Sequence, residues 1–138
     1  MLGRVLADYE LFIYALQDNY PSIQTSTLTV IHQANAVATV EGDLLFRNGL
    51  RLRVLEVVRF DMAPPRLSRY GYEVWRGGDK LYWYDSQPHP NDPVLAATDP
   101  HHKHVQPDIK HHRVPAPELS FTHPNLPFVI EEIERFAS

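Results

Sequence analysis

An Asn48-Gly49 pair stands between two long runs of alternating apolar residues, 40–46 and 50–60, and this constrains the fold more than any other feature of the chain. Both residue types tolerate a positive φ, so the pair reads as the turn of a β-hairpin. A two-residue loop would set Phe46 against Arg51 and Leu50 against Arg47, mixing apolar and charged side chains across the ladder. A three-residue loop, with Gly49 left-handed, sets Phe46 against Leu50, Leu44 against Leu52, Gly42 against Val54 and Val40 against Glu56. That register gathers one apolar face, and it is the expected one. It also puts a carboxylate, Glu56, on the face shared by Leu52, Val54 and Val58. Such a group must be hydrogen-bonded, paired or protonated.

A second hairpin is expected over 70–76 and 80–85, around Gly77-Gly78. Counting outward from that turn opposes Val74 to Leu81, Tyr72 to Trp83 and Tyr70 to Asp85, which makes Asp85 a second inward carboxylate. The β-branched residues of 23–31 add a strand. Val5, Tyr9, Phe12, Ile13 and Leu16 mark an amphipathic helix over about 4–18, closed by Asn19 and Pro21. Leu126, Val129, Ile130 and Ile133 mark another at the C-terminal end, begun near Pro127. The expected fold class is α+β: an antiparallel sheet of four or five strands, N- and C-terminal helices, and a long His/Pro-rich loop. With 138 residues, the chain is expected to form a single domain, 1–138.

The loop is expected because nine of the twelve prolines fall between 88 and 127. Proline at that density excludes helix interiors and central strands. Seven of the eight histidines lie between 89 and 123, and there is no cysteine, which excludes disulfides, thiolate zinc sites and a cysteine nucleophile. The formal charge of −4 argues against strong nonspecific attraction to nucleic acid, although protonating every histidine would bring it to +4. No apolar run approaches the roughly 20 residues that span a bilayer, and the first residues carry no signal-peptide pattern, so a soluble, cytoplasmic protein is expected.

Pro100 biases Asp99 towards an extended backbone. If 101–104 continues extended, His102 and His104 point one way, about 6–7 Å apart at the backbone, and His101 and Lys103 the other. Two chemistries fit this pattern. In an acid–base mechanism, His101, His102 and His104 exchange protons, Lys103 neutralises a phosphate, and Glu56 and Asp85 orient or supplement them. A metal-independent ribonuclease, which needs no cofactor, requires only these roles, because the RNA 2′-hydroxyl is the nucleophile. Tyr72, Tyr84 and His89 are the substrate-binding candidates. In the alternative, His102, His104 and Asp85 hold a divalent metal. The cluster then belongs to a non-catalytic metal-binding or protein-interaction module in which the His-rich loop is structural. His111, His112 and His123 are more peripheral.

At these residues the sequence resembles the TumE-like proteins of bacterial toxin–antitoxin loci. Their pattern runs from a glycine-bounded hairpin to a Leu-x-x-x-Glu strand, matched by Gly49, Leu52 and Glu56. A Tyr-x-Tyr strand follows, matched by Tyr70-Gly71-Tyr72, and then an aromatic-x-Tyr-Asp-Asn-x-Pro-His-His segment. Here that segment reads Tyr84-Asp85-Ser86-Gln87-Pro88-His89-Pro90, with Ser86 in place of Asn and Pro90 in place of the second histidine. The family's Pro-His-His-Lys-His is present unchanged as Pro100 to His104. The resemblance covers about 40–135. It implies a toxin component, encoded beside a helix-turn-helix antitoxin that would be its protein partner. RNA as the substrate follows from the residues, not from the resemblance.

Overall fold

A computed structural model describes residues 1–87, 91, 100–109 and 112–136. Among these, a single eight-stranded antiparallel sheet carries three short helices on one face. In chain order the elements are α1 (Leu6–Tyr14), α2 (Leu16–Asn19), β1 (Ile23–Ser26), β2 (Thr29–Gln33), β3 (Val37–Phe46), β4 (Leu50–Arg59), β5 (Arg66–Arg76), β6 (Asp79–Asp85), β7 (His102–His104), β8 (Arg113–Pro115) and α3 (Leu126–Glu134). The strands run β1-β3-β4-β5-β6-β7-β8 across the sheet, and β2 also pairs with β3. No helix among the described residues is long and apolar enough to cross a membrane.

The β3–β4 hairpin has the expected register, with Leu44 opposite Leu52, Gly42 opposite Val54 and Val40 opposite Glu56. Gly49 closes it at φ +89°, and its N–H donates to the Phe46 carbonyl. Only glycine reaches that conformation without strain. The resulting face carries Val40, Leu44, Leu52, Val54 and Val58, all buried, against Leu6, Tyr9 and Ile13 of α1 and Leu126, Val129, Ile130 and Ile133 of α3. The side chain of Asp8 accepts the N–H groups of Arg4 and Val5, which starts α1. The single helix expected over 4–18 is divided at Ala15, which separates α1 from α2.

The sheet is larger than four or five strands, for two physical reasons. The 23–31 run does not lie straight: β1 pairs with residues 44–46 of β3 and β2 with residues 37–41, so one run supplies two strands. Where it bends, Thr27 crosses so close to Gly42 that a Cβ there would sit 2.5 Å from the Thr27 carbonyl oxygen. Secondly, the His/Pro-rich segment, whose residues 88–90, 92–99, 110 and 111 lie outside the described residues, contributes two strands. The proline-free triplet His102–His104 pairs with Trp83–Asp85 at the edge of β6, and residues 113–115 pair with it in turn. Pro115 is tolerated because β8 is an edge strand, where a missing N–H breaks no ladder bond.

The β5–β6 hairpin departs from the expected register, and the departure relocates a carboxylate. The observed partners are Val74 with Tyr82, Tyr72 with Tyr84 and Gly71 with Asp85, after a bulge between Val74 and Trp75. The extra residue on β6 turns every side chain beyond it to the opposite face. Tyr82 and Tyr84 therefore enter the core, where the Tyr84 hydroxyl donates to Glu132 of α3 at 3.0 Å. Trp83 and Asp85 go to the other face. The two carboxylates expected to point inward together lie on opposite sides of the sheet.

Candidate functional site

Glu56 is wholly buried on the helix-covered face, and both of its oxygens accept hydroxyl hydrogens, one from Tyr9 of α1 and one from Tyr72 of β5. Asn125, at the start of α3, donates in turn to the Tyr72 oxygen at 3.2 Å. Burial pushes the Glu56 carboxyl above its ordinary range, and the two tyrosine bonds oppose that shift without cancelling it. The network ties α1, α3 and the sheet together. Tyr72 is also wholly buried and committed to it, so neither Tyr72 nor Glu56 is presented to a substrate.

The opposite face holds a different constellation, built by the pairing of β6 with β7. Asp85 stands opposite His102, and Trp83 stands opposite His104. His102 and His104 point to the same side and are both buried. The Nε2 atom of His102 lies 2.6 Å from Oδ1 of Asp85, close enough that the nitrogen must bear a hydrogen and donate it. The His104 ring stacks on Trp83 with centroids 4.0 Å apart. Its Nδ1 lies 3.0 Å from the Ile109 carbonyl. A carbonyl only accepts, so Nδ1 carries the hydrogen and Nε2 of the neutral ring presents a lone pair. That Nε2 is buried, has no hydrogen-bond partner among the described residues, and sits 3.4 Å from Oδ2 of Asp85.

The electrostatics follow from this arrangement. Burial alone would raise the Asp85 carboxyl. The His102 hydrogen bond, the Gln87 N–H at 3.0 Å and the two nearby imidazoles outweigh it and hold the carboxyl below its ordinary range. Burial pulls His104 down, against the attraction of Asp85, which favours the neutral ring. An ionised carboxylate thus stands between one imidazole nitrogen that donates and one that offers a lone pair. The three ligand atoms lie within 4.8 Å of one another, a spacing that a single cation could bridge. Arg113 of β8 adds a positive charge, with Nη1 3.3 Å from the His102 Nε2.

Asp85 is the member of the trio that lines an open cleft of about 630 Å³, walled by Arg53, Leu55, Ser68, Arg69, Trp83 and Gln87, with Gly71 beneath. Ser86 is buried and its hydroxyl accepts the Tyr70 N–H at 3.0 Å, which pins the end of β6 to β5.

Of the sequence candidates, Asp85, His102 and His104 are brought together, whereas Lys103, His101, Tyr84 and Glu56 are not. Lys103 points to the helix-covered side, where its ammonium lies 3.2 Å from Glu132 and 4.4 Å from the Tyr82 ring centre. It is a poor candidate for the phosphate contact beside His102. His101 also faces that side, its Nδ1 2.6 Å from the Tyr70 hydroxyl and its ring against Phe121. Tyr84 is buried under α3 and presents no face to a substrate. His89 and His111 lie outside the described residues. Nδ1 of His112 lies 3.0 Å from the Gln106 carbonyl, and that of His123 lies 3.1 Å from the N-terminal nitrogen.

Sequence reading missed Arg113, Trp83, Arg53, Arg69 and Gly71. For Gly71 there was a signal: a glycine alone in the middle of a strand whose neighbours are aromatic.

The family model described as Toxin TumE matches residues 13–137. The chain belongs to the Toxin TumE family. The match includes Glu56, Tyr72 and Asn125 and the Asp85–His102–His104 cluster, and begins after Tyr9. No match was found among curated proteins or among solved structures.

Proposed function

We propose that this Toxin TumE family member is the toxin of a toxin–antitoxin pair, held in check by a helix-turn-helix antitoxin, and that it is a ribonuclease working from Asp85, His102 and His104. The convergence of the two buried histidines on Asp85 at the end of an open cleft carries the reading. A 2′-hydroxyl in the cleft gives up its proton through Asp85, the member of the trio that lines it, to the His104 Nε2 lone pair, and its oxygen then attacks the adjacent phosphorus. The P–O5′ bond breaks, and the departing oxygen takes a proton back through Asp85 from the imidazole pair, which leaves both rings as they began. Asp85 holds both rings in place, and Arg113 takes the phosphate-neutralising role expected of Lys103. The products are a 2′,3′-cyclic phosphate and a 5′-hydroxyl.

One observation favours a second reading. A neutral His104 aims its lone pair at an ionised carboxylate, and a divalent cation between them would bind both. In that case Asp85, His102 and His104 would hold the cation, which would supply Lewis-acid activation of a water. Cleavage of a defined RNA by untagged protein in EDTA separates the two. Cyclic-phosphate ends formed in chelator support the acid–base reading. Activity that vanishes in EDTA and returns with one metal supports the second.

A further inference from the structure

Gly71 occupies an unusual position. It sits in mid-strand, paired on one side with Leu55 and on the other with Asp85, and so separates the apolar β4 wall from the candidate acid–base cluster. Glycine in a strand interior weakens the strand and often marks the close approach of a ligand. None of the usual local reasons for glycine applies here. Gly71 is absent from the residues with positive φ, and a Cβ built on it meets nothing within 4 Å. The missing side chain leaves open space, and that space is the floor of the cleft that Asp85 lines. Gly42 is the contrasting case, because there a Cβ would collide with the Thr27 carbonyl.

Two arginines stand beside this floor, and Glu73, which also lines the cleft, is paired with Lys80 at 3.3 Å. Arg69 lines one side and makes no ion pair among the described residues, and Arg53 lines another, its guanidinium largely exposed and 3.7 Å from Asp43. Ser68 and Gln87 add uncharged hydrogen-bonding groups. A cleft with two arginines and an unfilled floor suits a phosphodiester strand, whose non-bridging oxygens match the donor fork of arginine.

We propose that the cleft over Gly71 seats the phosphodiester backbone of a single RNA strand, with Arg53 and Arg69 as the anion contacts and Gly71 kept small so that the strand can approach Asp85. The proposal rests on the ribonuclease reading for its substrate class, but its test does not depend on cleavage. The probe is a fluorescent 2′-O-methyl oligoribonucleotide in EDTA, which lacks the attacking hydroxyl, with binding to the full chain followed by anisotropy against salt.

Gly71→Val fills the floor with a residue that suits a strand. It is expected to melt at or above the parent and to bind at least tenfold more weakly. The double variant Arg53→Ala/Arg69→Ala leaves the floor open and is expected to lower the slope of log affinity against log salt by about 1.4, the share of two phosphate contacts on a single strand. Parent-like binding by a folded Gly71→Val, an unchanged salt slope in the double variant, or no binding by the parent would overturn the cleft assignment. Binding that depends on Gly71 and the two arginines, in a parent that never cleaves ordinary RNA, would support the cleft and sink the ribonuclease reading alone.

Discussion

Asp85 and Glu56 stand on strands separated only by β5, yet they lie on opposite faces of the sheet, one among imidazoles beside a cleft and the other among tyrosines beneath the helices. The bulge between Val74 and Trp75 places them apart. It splits two acidic residues that otherwise look alike in the sequence into a candidate reactive group and a structural one.

The structural role of Glu56 has a pH signature. Its folded-state pKa is raised by burial, so the unfolded chain gives up this proton first as pH rises past the ordinary value of 4.5. Stability is then lost progressively as pH climbs from there through the raised folded value. Glu56→Gln should remove that component of the slope and leave toxicity intact. Glu56→Leu should cost about 1–3 kcal/mol for each tyrosine hydroxyl left without an acceptor. Thermal melts of the three proteins between pH 4 and 8 check this, and a Glu56→Gln that melts well but is no longer toxic would count against a purely structural Glu56.

Lys103 and Arg113 separate what the motif suggests from what the geometry supports. Lys103→Met keeps the packing against Tyr82 and Tyr84 and loses only a partly exposed ion pair with Glu132, worth about 0–1 kcal/mol. It should stay toxic. Arg113→Met should reduce toxicity by an order of magnitude or more. Growth curves on graded induction, read beside expression level, decide it, and the reverse ranking would return the phosphate contact to Lys103.

How much of this was legible in the sequence depended on which local signals were strong. Asn48-Gly49 fixed the β3–β4 register because only one loop length gathered a single apolar face, and the pairs Leu44–Leu52 and Val40–Glu56 followed. Gly77-Gly78 carried no such discrimination. Both faces of 80–85 are aromatic, so pattern could not show that Tyr82 and Tyr84, and not Trp83, meet the core. His102 and His104 were legible as a same-side pair from strand alternation alone. Their meeting with Asp85 was not, because it needs β7 to pair with β6, a contact spanning the proline-rich segment. Arg113 enters the cluster only through a third strand.

Ser86 offers a check on how the cleft is held. Its hydroxyl accepts the Tyr70 N–H, which fixes the end of β6 and with it Asp85. Ser86→Ala should cost about 1–3 kcal/mol, because it leaves a buried N–H unmet. Ser86→Asn, whose side-chain oxygen can also accept that N–H, should retain much of that stability. Chemical denaturation of the two variants measures the difference, and a fully stable Ser86→Ala would show that the bond contributes little.

The central claim is that Asp85, His102 and His104 act together on RNA, and it is tested most directly by purified parent protein and the single variants Asp85→Asn, His102→Ala and His104→Ala on one labelled RNA, with the ends of the fragments identified. Cleavage by the parent is expected, with losses of about 10²–10⁴-fold in each variant and every variant folded by circular dichroism. A folded His104→Ala and a folded Asp85→Asn that cleave as the parent does would contradict it, as would a parent that arrests growth but leaves RNA intact both in EDTA and with added divalent metal.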